Sequence, residues 1–514
     1  MKSDFLNSAV IYNVYPTSFY DSNGDGVGDI VGITQKLQYI KQFADIVWIN
    51  PVFKSPFRDG GYDIEDYLEI DPKFGCVQDV IDLTTTAHAL GMKIVFDLVV
   101  GHTSEKHKWF RQSRKEKRNK YSDYYIWNGN VFEGGLNGIS GNAPRNGVYA
   151  VIFFCFQPSL NYGYYKKDFA WQFDYKDERL SALHDEVINV MKFWLEKGVD
   201  GFRCDMANRI VKNDDNGKGS CEIWRKLFAE VRKSFPQAFF ISEWGQPEYA
   251  VGNGAFDIDF FTHCFDEGYN NLFRKESGCN VFDSEGNSYF RRGGKGECKT
   301  FFAYLEHSLN RIKDKGYVSV VTGNHDLPRI SVGRDDDELK CAFAMILALP
   351  CVPLIYYGDE IGMGYNNKLN KDGGYRRTGS RTPMQWSGGK NAGFSSAEKL
   401  YLPINRDFAD RNTEAYSREE NSLYNTVKNL CKIRKQSDAL TADADFNLVS
   451  DGYPMIFERK TQNESWQIIV NPCEKSATLK LTGKVVACNN CTFDKDEIVV
   501  NASSFAWVLR NLQN

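Results

Sequence analysis

Short runs of apolar residues recur along most of the chain, each followed by Gly, Asp or Asn and then by a helical pattern. Eight such runs stand at residues 9–16, 45–51, 93–102, 199–205, 238–245, 259–265, 318–326 and 352–360. Continuous Val, Ile and Phe runs are typical of strands buried on both faces, and VQDVIDLTTTAHALG and LHDEVINVMKFWLEKG show helical spacing between them. Eight alternating βα units predict an α/β fold, a (β/α)8 TIM barrel with its active site at the carboxyl ends of the strands.

Two regions depart from this alternation. Between the third and fourth runs lies a long stretch rich in Tyr, Asn and Gly, and after about residue 437 the chain changes to alternating strands. We therefore expect a barrel formed by residues 1–102 and 174–437, an inserted subdomain B at 103–173 after strand 3, and a C-terminal antiparallel β domain, a β-sandwich, at 438–514.

The charge and the apolar stretches exclude several classes of partner. The chain has 514 residues with 63 basic and 67 acidic side chains, and a net charge of −4 is too small to favour nucleic acid or an anionic membrane. No apolar stretch is long enough to span a bilayer, and nothing marks export. The 13 cysteines show no disulfide framework, which suits a reducing compartment and predicts a cytoplasmic protein. We further expect a monomer or a weak homo-oligomer.

Three acids stand at the ends of three different predicted strands. Asp205 ends the fourth run, Glu243 lies near the end of the fifth, and Asp326 ends the seventh. In a barrel these ends converge on one mouth, and a carboxylate beside an apolar run is costly to desolvate unless it is paired or used. Glycoside hydrolysis needs two carboxyl groups, one as nucleophile and one as acid and then base. The 14% content of aromatic residues fits either flat surfaces for sugars or simply a large aromatic core.

Four strand-end segments resemble the signature regions of the α-amylase family, glycoside hydrolase family 13. These are DLVVGHTS, GFRCDMAN, ISEWG and GNHDLPR, and they occur in the family's order. The resemblance implies that Asp205 is the nucleophile, Glu243 the general acid/base, and Asp326 the acid that grips the sugar hydroxyls. It further implies that Arg203 keeps Asp205 ionised by lowering its pKa. His102 and His325 would hydrogen-bond the sugar.

Other segments resemble the oligo-1,6-glucosidase and α-glucosidase branch of this family. QPSLN at 157–161, DYYIW and SRTPMQW carry this likeness. In that branch an Asp from a G-Y-D segment and an Arg from the loop after strand 8 close the pocket. Here they correspond to Asp63, which follows Tyr62, and to Arg381, although Arg376 and Arg377 lie close by. The resemblance implies that Tyr62 and Arg203 also belong to the substrate-binding residues. A closed pocket implies an exo-acting α-glucosidase that hydrolyses short α-glucosides such as maltose or isomaltose oligomers.

An oxygen-rich segment, DSNGDGVGDI at 21–30, follows the first predicted strand. Its start matches an EF-hand loop, but the Glu that such a loop requires is replaced by Gly32. The branch resemblance instead implies a structural Ca²⁺ site, or a Mg²⁺ site, within the catalytic domain, and no organic cofactor. The implied ligands are the side chains of Asp21, Asn23, Asp25 and Asp29 and the carbonyl of Val27.

Three positions depart from the family pattern and keep alternatives open. Gly101 replaces the Asn before the first-region His, Ser159 replaces the Asp of the QPDLN marker, and Met206 follows the nucleophile where the branch has Val or Thr. The linkage preference therefore cannot be deduced from Met206. A glucosyl transferase or isomerase, similar to trehalose synthase or sucrose isomerase, is the alternative, and a non-catalytic relative is disfavoured by the presence of all three acids.

Overall fold

A computed structural model of the chain describes residues 2–130, 132–136, 138–140, 143–261, 267–274 and 286–510. Eight parallel strands close into a barrel in the order β1-β8-β7-β6-β5-β4-β3-β2. The barrel strands β1 to β8 run over Ile11–Val14, Ile46–Ile49, Lys93–Leu98, Gly201–Cys204, Phe239–Ser242, Ile258–Phe260, Tyr317–Val321 and Val352–Tyr356. The predicted TIM barrel is confirmed, although residues 262–265 of the sixth run lie outside the described residues.

Helices surround the barrel and follow its strands along the chain. The α-helices of the described residues, α1 to α13, are Asp4–Ser8, Ile30–Gln35, Leu37–Ile40, Val77–Ala89, Lys108–Ser113, Ser181–Leu195, Lys218–Arg232, Pro247–Ala250, Tyr269–Phe273, Lys299–Ile312, Asp336–Ile346, Thr413–Arg418 and Leu423–Lys435. Short 3-10 segments occupy Pro16–Ser18, Glu178–Leu180, Ala207–Arg209, Asp359–Ile361, Tyr375–Ser380, Lys390–Gly393 and Asp438–Leu440. None of the helices in the described ranges is long and apolar enough to cross a membrane.

The barrel strands are buried on both of their faces. All four residues of β4 and of β5 are buried, and β4 pairs in register with β3 and β5. Their outer faces pack on amphipathic helices such as α7, whose apolar side is buried against the barrel. Each strand therefore delivers its last residue to the same end of the barrel, which is where polar side chains can reach solvent.

The segment between β3 and α6 contains small antiparallel pairings instead of barrel strands. Trp127–Asn128, Gly138–Ser140 and Val148–Ala150 form a three-stranded sheet within the predicted subdomain B. An isolated bridge between His102 and Ser159 joins this segment to the end of β3. The insertion therefore lies at the carboxyl end of the barrel.

The C-terminal strands β9 to β14 are Asp445–Asp451, Met455–Lys460, Ser465–Asn471, Ala477–Lys480, Lys484–Asp494 and Glu497–Arg510. They are antiparallel as predicted, but hydrogen bonds connect all of them into one six-stranded sheet, where the sequence suggested a sandwich of two sheets. The long strand β14 makes this connection, because its first half pairs with β12 and its second half with β11. The sheet packs on the barrel, and the Trp507 side chain donates to the carbonyl of Ala344 in α11.

Candidate active site

The three predicted acids lie together at the carboxyl end of the barrel. Asp205 follows β4 directly, Glu243 follows β5 directly, and Asp326 lies on the loop after β7. All three line one cavity of about 290 Å³. Asp205 is buried, whereas the side chains of Glu243 and Asp326 keep about a fifth of their surface exposed, at 20% and 21%. The pocket thus contains one buried carboxyl group, that of Asp205, and two partly exposed ones, those of Glu243 and Asp326.

Arg203 joins the acids from beneath the pocket. Its Nη1 donates to Asp205 at 3.0 Å and to Asp97 at 2.6 Å, and its Nη2 lies 2.8 Å from Oε1 of Glu243. The guanidinium is fully buried and its terminal nitrogens bind carboxylates, so Arg203 positions the acids rather than contacting the sugar as predicted. Its rigid fork fixes the two catalytic carboxyl groups side by side.

The pKa of Asp205 is raised well above its ordinary value. Burial is the largest cause and the neighbouring Glu243 is the second, while Arg203 lowers it. Arg203 therefore lowers the pKa of Asp205 as predicted, but burial and the nearby Glu243 raise this pKa by more. Burial disfavours the charged form of Asp205, and a second carboxyl close by disfavours it further. One ionised and one protonated carboxyl is the state that acid-assisted glycoside cleavage requires.

Two neutral histidines and Tyr62 line the same cavity, as predicted. Burial lowers the pKa of His102 to about 4, and its Nε2 donates to the carbonyl of Tyr62 at 3.0 Å, which leaves Nδ1 as an acceptor. Burial also lowers the pKa of His325. Its Nδ1 lies 3.1 Å from the amide nitrogen of Asn50, so Nε2 carries the proton and faces Asp326 at 3.2 Å.

The structure corrects the predicted closing pair of the pocket. Asp63 is buried below the pocket and accepts hydrogen bonds from the Ser55 hydroxyl and from the backbone N–H groups of Arg58 and Asp59. Burial raises the pKa of Asp63 to about 6, with these hydrogen bonds opposing it. Asp63 therefore shapes the loop and does not face the substrate cavity.

Asp59 and Arg377 occupy the positions that were predicted for Asp63 and Arg381. Both line the cavity, and Nη2 of Arg377 lies 3.3 Å from Oδ1 of Asp59. Arg377 also donates to Asp326 at 3.0 Å. Arg381 is buried behind this wall, where it donates to the carbonyl of His325 at 2.8 Å and to Asp326 at 3.0 Å. Arg381 thus holds Asp326 in place, and Arg377 is the arginine at the cavity surface.

Subdomain B completes this side of the cavity through Gln157, the first residue of QPSLN. Its amide nitrogen donates to Oδ2 of Asp59 at 2.7 Å. Asp59 therefore receives one hydrogen bond from the insertion and one from the loop after β8. Three segments that are distant in sequence meet at this carboxylate.

Asp97 is a site residue that the sequence analysis missed. It lies inside β3, is fully buried, and accepts from Arg203, from the Trp48 indole at 3.0 Å and from the Tyr62 hydroxyl at 3.0 Å. The amide nitrogen of Asn50 lies 3.1 Å from the same carboxylate. An acid within the continuous apolar run KIVFDLVV was the available signal, because a buried charge requires partners.

A second cavity of about 640 Å³ adjoins the first. The two share His102, Phe153 and Met206, and the second continues along residues 206–215 and the underside of subdomain B. Met206 is also held at the site, because its N–H donates to Oε2 of Glu243 at 3.0 Å. The catalytic pocket thus opens toward this groove on the side of Glu243.

The predicted metal-binding loop follows β1, and its side chains bond the loop's own backbone. Asp21 accepts from the N–H of Gly24 at 2.7 Å and of Gly26 at 2.8 Å. Asn23 and Asp25 each accept from the N–H two residues later. Within the described ranges, no three or more His, Cys, Asp or Glu side chains form a group that could hold a metal ion. The oxygen donors suit calcium chemically, so the cation stays a prediction that rests on donor type.

Comparison with known proteins gives one family and several relatives. Residues 13–443 match the model of the alpha amylase catalytic domain. An oligo-1,6-glucosidase of Parageobacillus thermoglucosidasius is 33% identical over 95% of this chain and 93% of its own length. The trehalose synthase/amylase TreS of Mycolicibacterium smegmatis is 29% identical over 85% of this chain and 77% of its own. The crystal structure of trehalulose synthase MutB from Pseudomonas mesoacidophila MX-45 superposes with a TM-score of 0.83 at 23% identity, covering 99% of this chain and all of that one.

Proposed function

Because the chain belongs to the α-amylase family of glycoside hydrolases, we propose that it is an exo-acting, retaining α-glucosidase of short α-glucosides. Its substrates in this proposal are maltose-type and isomaltose-type oligosaccharides, from which it releases one glucose at a time. The observation that carries the proposal is the pair of carboxyl groups on one guanidinium, at 3.0 Å for Asp205 and 2.8 Å for Glu243, in a small pocket.

The spacing of this pair supports retention of configuration. Retaining glycosidases hold their two carboxyl groups about 5 Å apart, whereas inverting enzymes leave a wider gap for a water molecule. Asp205 and Glu243 bind neighbouring nitrogens of one guanidinium and also lie within hydrogen-bond reach of each other, which is closer than such a gap. The arrangement therefore favours direct attack on the sugar by one of them.

In the proposed first step, the Asp205 carboxylate attacks the anomeric carbon while Glu243 gives its proton to the leaving oxygen. A glucosyl ester forms on Asp205, and the glycosidic bond breaks. In the second step Glu243 takes a proton from water, whose oxygen displaces Asp205 from the anomeric carbon. Asp326, held by Arg377 and Arg381, is placed to bind sugar hydroxyls and to favour the distorted ring.

Exo action follows from the closed side of the pocket. Asp59, Gln157 and Arg377 form a hydrogen-bonded wall there, with donor-to-acceptor distances of 2.7 and 3.3 Å to Asp59. A non-reducing glucose can direct its hydroxyls to Asp59 and Arg377, which line the cavity, and the closed side would bar a further sugar. The opening toward Met206 and the second cavity accommodates the leaving group.

A glucosyl transferase or isomerase is the second candidate. A relative is named trehalose synthase/amylase, and the fold matches trehalulose synthase MutB, so the same architecture supports transfer to a sugar hydroxyl. Both reactions use a glucosyl-enzyme and differ in whether water or a sugar accepts it. The second cavity beside Met206 offers space for a sugar acceptor.

Product analysis separates these candidates. Maltose, isomaltose, sucrose and trehalose are incubated separately with the enzyme, and sugars are resolved over time. Hydrolysis predicts free glucose as the main product, initially as the α-anomer by NMR. An isomeric disaccharide with little free glucose would establish the transferase, and β-glucose as the first product would refute the retaining mechanism.

We propose further that a hard cation, Ca²⁺ or Mg²⁺, binds the loop after β1. Burial raises the pKa of Asp29, and the charge of the nearby Asp21 adds to this effect. A cation would offset the repulsion between these two carboxylates. The oligomeric state and the cytoplasmic location stay predictions from the sequence.

A further inference from the structure

The closed side of the catalytic pocket has aromatic groups beside its polar wall. Phe154 and Tyr375 line the same cavity as Asp59 and Arg377. They belong to a stack of flat groups that continues with Phe156 and Arg58, the chain neighbours of Gln157 and Asp59. The same three chain segments therefore supply both the polar and the aromatic groups of this wall.

The rings of this stack are nearly parallel. The guanidinium carbon of Arg58 lies 3.8 Å from the centre of the Phe156 ring. Phe156 and Phe154 follow with centroids 5.1 Å apart and planes inclined by 4°, and Phe154 and Tyr375 are 6.4 Å apart and inclined by 16°. Cation–π and stacking contacts of this kind are favourable. The stack thus links subdomain B to the loop after β8.

The lining residues separate the stack from the side that we assign to the leaving group. The second cavity shares His102, Phe153 and Met206 with the catalytic pocket, and neither Phe154 nor Tyr375 is among its lining residues. Both rings instead line the catalytic pocket with Asp59 and Arg377. The stack therefore borders the wall that the proposed function assigns to the non-reducing sugar.

Tyr375 is the exposed end of the stack and has an unusual backbone. Its side chain is 58% exposed although it lines the catalytic pocket, and its φ is +48°. A bulky residue is rare in this region, and such a conformation persists where the surroundings impose it. Here the N–H of Tyr375 donates to Asn370 Oδ1 at 3.1 Å. The loop thus accepts a strained conformation that projects an aromatic ring at the pocket edge.

We propose that Tyr375 and Phe154 are specificity-determining residues that limit the pocket to a single sugar on its closed side. This inference rests on the proposed glucosidase function and deepens it. The ring pair lines the cavity together with the Asp59–Arg377 ion pair, so the two rings occupy room that the next sugar of an internal chain segment would need. The barrier depends on stacking between two loops, so loss of either ring opens it.

In this proposal the aromatic rings also limit the access of water to the ion pair that lines the cavity with them. The Arg377 and Asp59 side chains are 26% and 8% exposed, and their attraction weakens as water enters. Removal of a ring would therefore weaken the Arg377–Asp59 ion pair and would also enlarge the cavity. Both effects favour entry of a longer chain.

The test uses p-nitrophenyl α-maltoside and α-isomaltoside whose non-reducing ends are blocked by an acetal. The enzyme can release nitrophenol from them only if the blocked sugar fits beyond the reacting sugar, on the closed side of the pocket. The wild type should cleave p-nitrophenyl α-glucoside and leave the blocked substrates almost intact. In Tyr375→Ala, Phe154→Ala and the double variant, the ratio of blocked to free-ended cleavage should rise by roughly tenfold or more, the scale of one or two lost stacking contacts.

Tyr375→Phe is the matched control, because it keeps the ring and should keep the block. Tyr165→Ala controls for loss of an exposed tyrosine elsewhere, since Tyr165 is 41% exposed and outside this wall. A double variant that cleaves the free-ended glucoside but still rejects both blocked substrates would overturn the inference. A wild type without activity on any α-glucoside would instead refute the proposed function.

Discussion

The guanidinium of Arg377 donates to the carboxylate of Asp59 over 3.3 Å, although the two residues are 318 positions apart in sequence. Through its other terminal nitrogen, Arg377 also binds Asp326 at 3.0 Å. One side chain thus connects an acid of the reacting centre with the loop after β2. Arg377 therefore holds both Asp59, at the closed side of the pocket, and Asp326, one of the three acids of the reacting centre.

Replacement of Arg377 should weaken the site selectively. Arg377→Met removes hydrogen bonds to two carboxylates, each worth about 1.5–3 kcal/mol, so kcat/KM for p-nitrophenyl α-glucoside should fall roughly 10- to 100-fold or more. Arg376→Met is the control, because Arg376 is exposed and does not line the cavity. Equal kinetics for the two variants would show that Arg377 does not contribute to closure.

Replacement of the two catalytic carboxyl groups should give different residual activities. Asp205→Asn should abolish turnover of every substrate, because no glucosyl ester can form, while the melting temperature shows that the fold persists. Glu243→Gln should slow maltose hydrolysis by roughly 10²- to 10⁴-fold. It should spare substrates such as α-glucosyl fluoride, whose leaving group needs no proton. Near-normal hydrolysis by Asp205→Asn would exclude the proposed mechanism.

The buried carboxyl of Asp63 should make stability depend on pH. Its pKa is raised to about 6 in the folded chain, mainly by burial, so the folded state binds more protons than the unfolded state between about pH 4 and 6. Stability therefore falls as pH rises through this window, by an upper limit of roughly 3 kcal/mol. Asp63→Asn cannot titrate there.

Thermal melts between pH 4 and 7 measure this effect. The melting temperature of the wild type relative to Asp63→Asn should be highest near pH 4 and should decrease toward pH 7. Asp66→Asn is the control, since Asp66 lies nearby but is only partly buried. A constant difference across the pH range would mean that Asp63 does not titrate there.

Removal of divalent cations tests the proposed metal loop. EDTA should lower the melting temperature, and excess CaCl2 should restore it, because a ligand bound only to the folded state stabilises it by mass action. Asp21→Asn should remove this response without direct contact with the catalytic pocket. If EDTA leaves the wild-type melting temperature unchanged, the loop is held by its own Asp and Asn hydrogen bonds.

The strands and the three acids could be predicted because their signals are local. Apolar runs such as that of β7 are typical of buried strands in α/β barrels, and Asp326 lies on the loop that follows this strand. Parallel closure then brings all strand ends together, so Asp205, Glu243 and Asp326 meet without further information. Asp97 was missed because its importance depends on partners from other strands.

The residues that close the pocket could not be assigned in the same way. The loop DGGYD contains two acids four residues apart, Asp59 and Asp63, and local sequence does not tell which one faces the substrate. Arg376, Arg377 and Arg381 pose the same problem in the loop after β8. Packing determines which acid and which arginine face the cavity. The Asp63 carboxylate accepts hydrogen bonds from backbone groups of its own turn, and the Arg381 guanidinium donates to the carbonyl of His325.

The sequence by itself determined the barrel, the order of its strands along the chain and the acids at their ends, since apolar periodicity dictates which segments must be buried. Only the tertiary structure decided how long loops meet above that barrel. The contact of Asp59 with Gln157 and Arg377, and the stack of Phe154 with Tyr375, join segments distant in the chain. Such contacts depend on the three-dimensional path of irregular loops, which carries no periodic pattern from which their partners could be read.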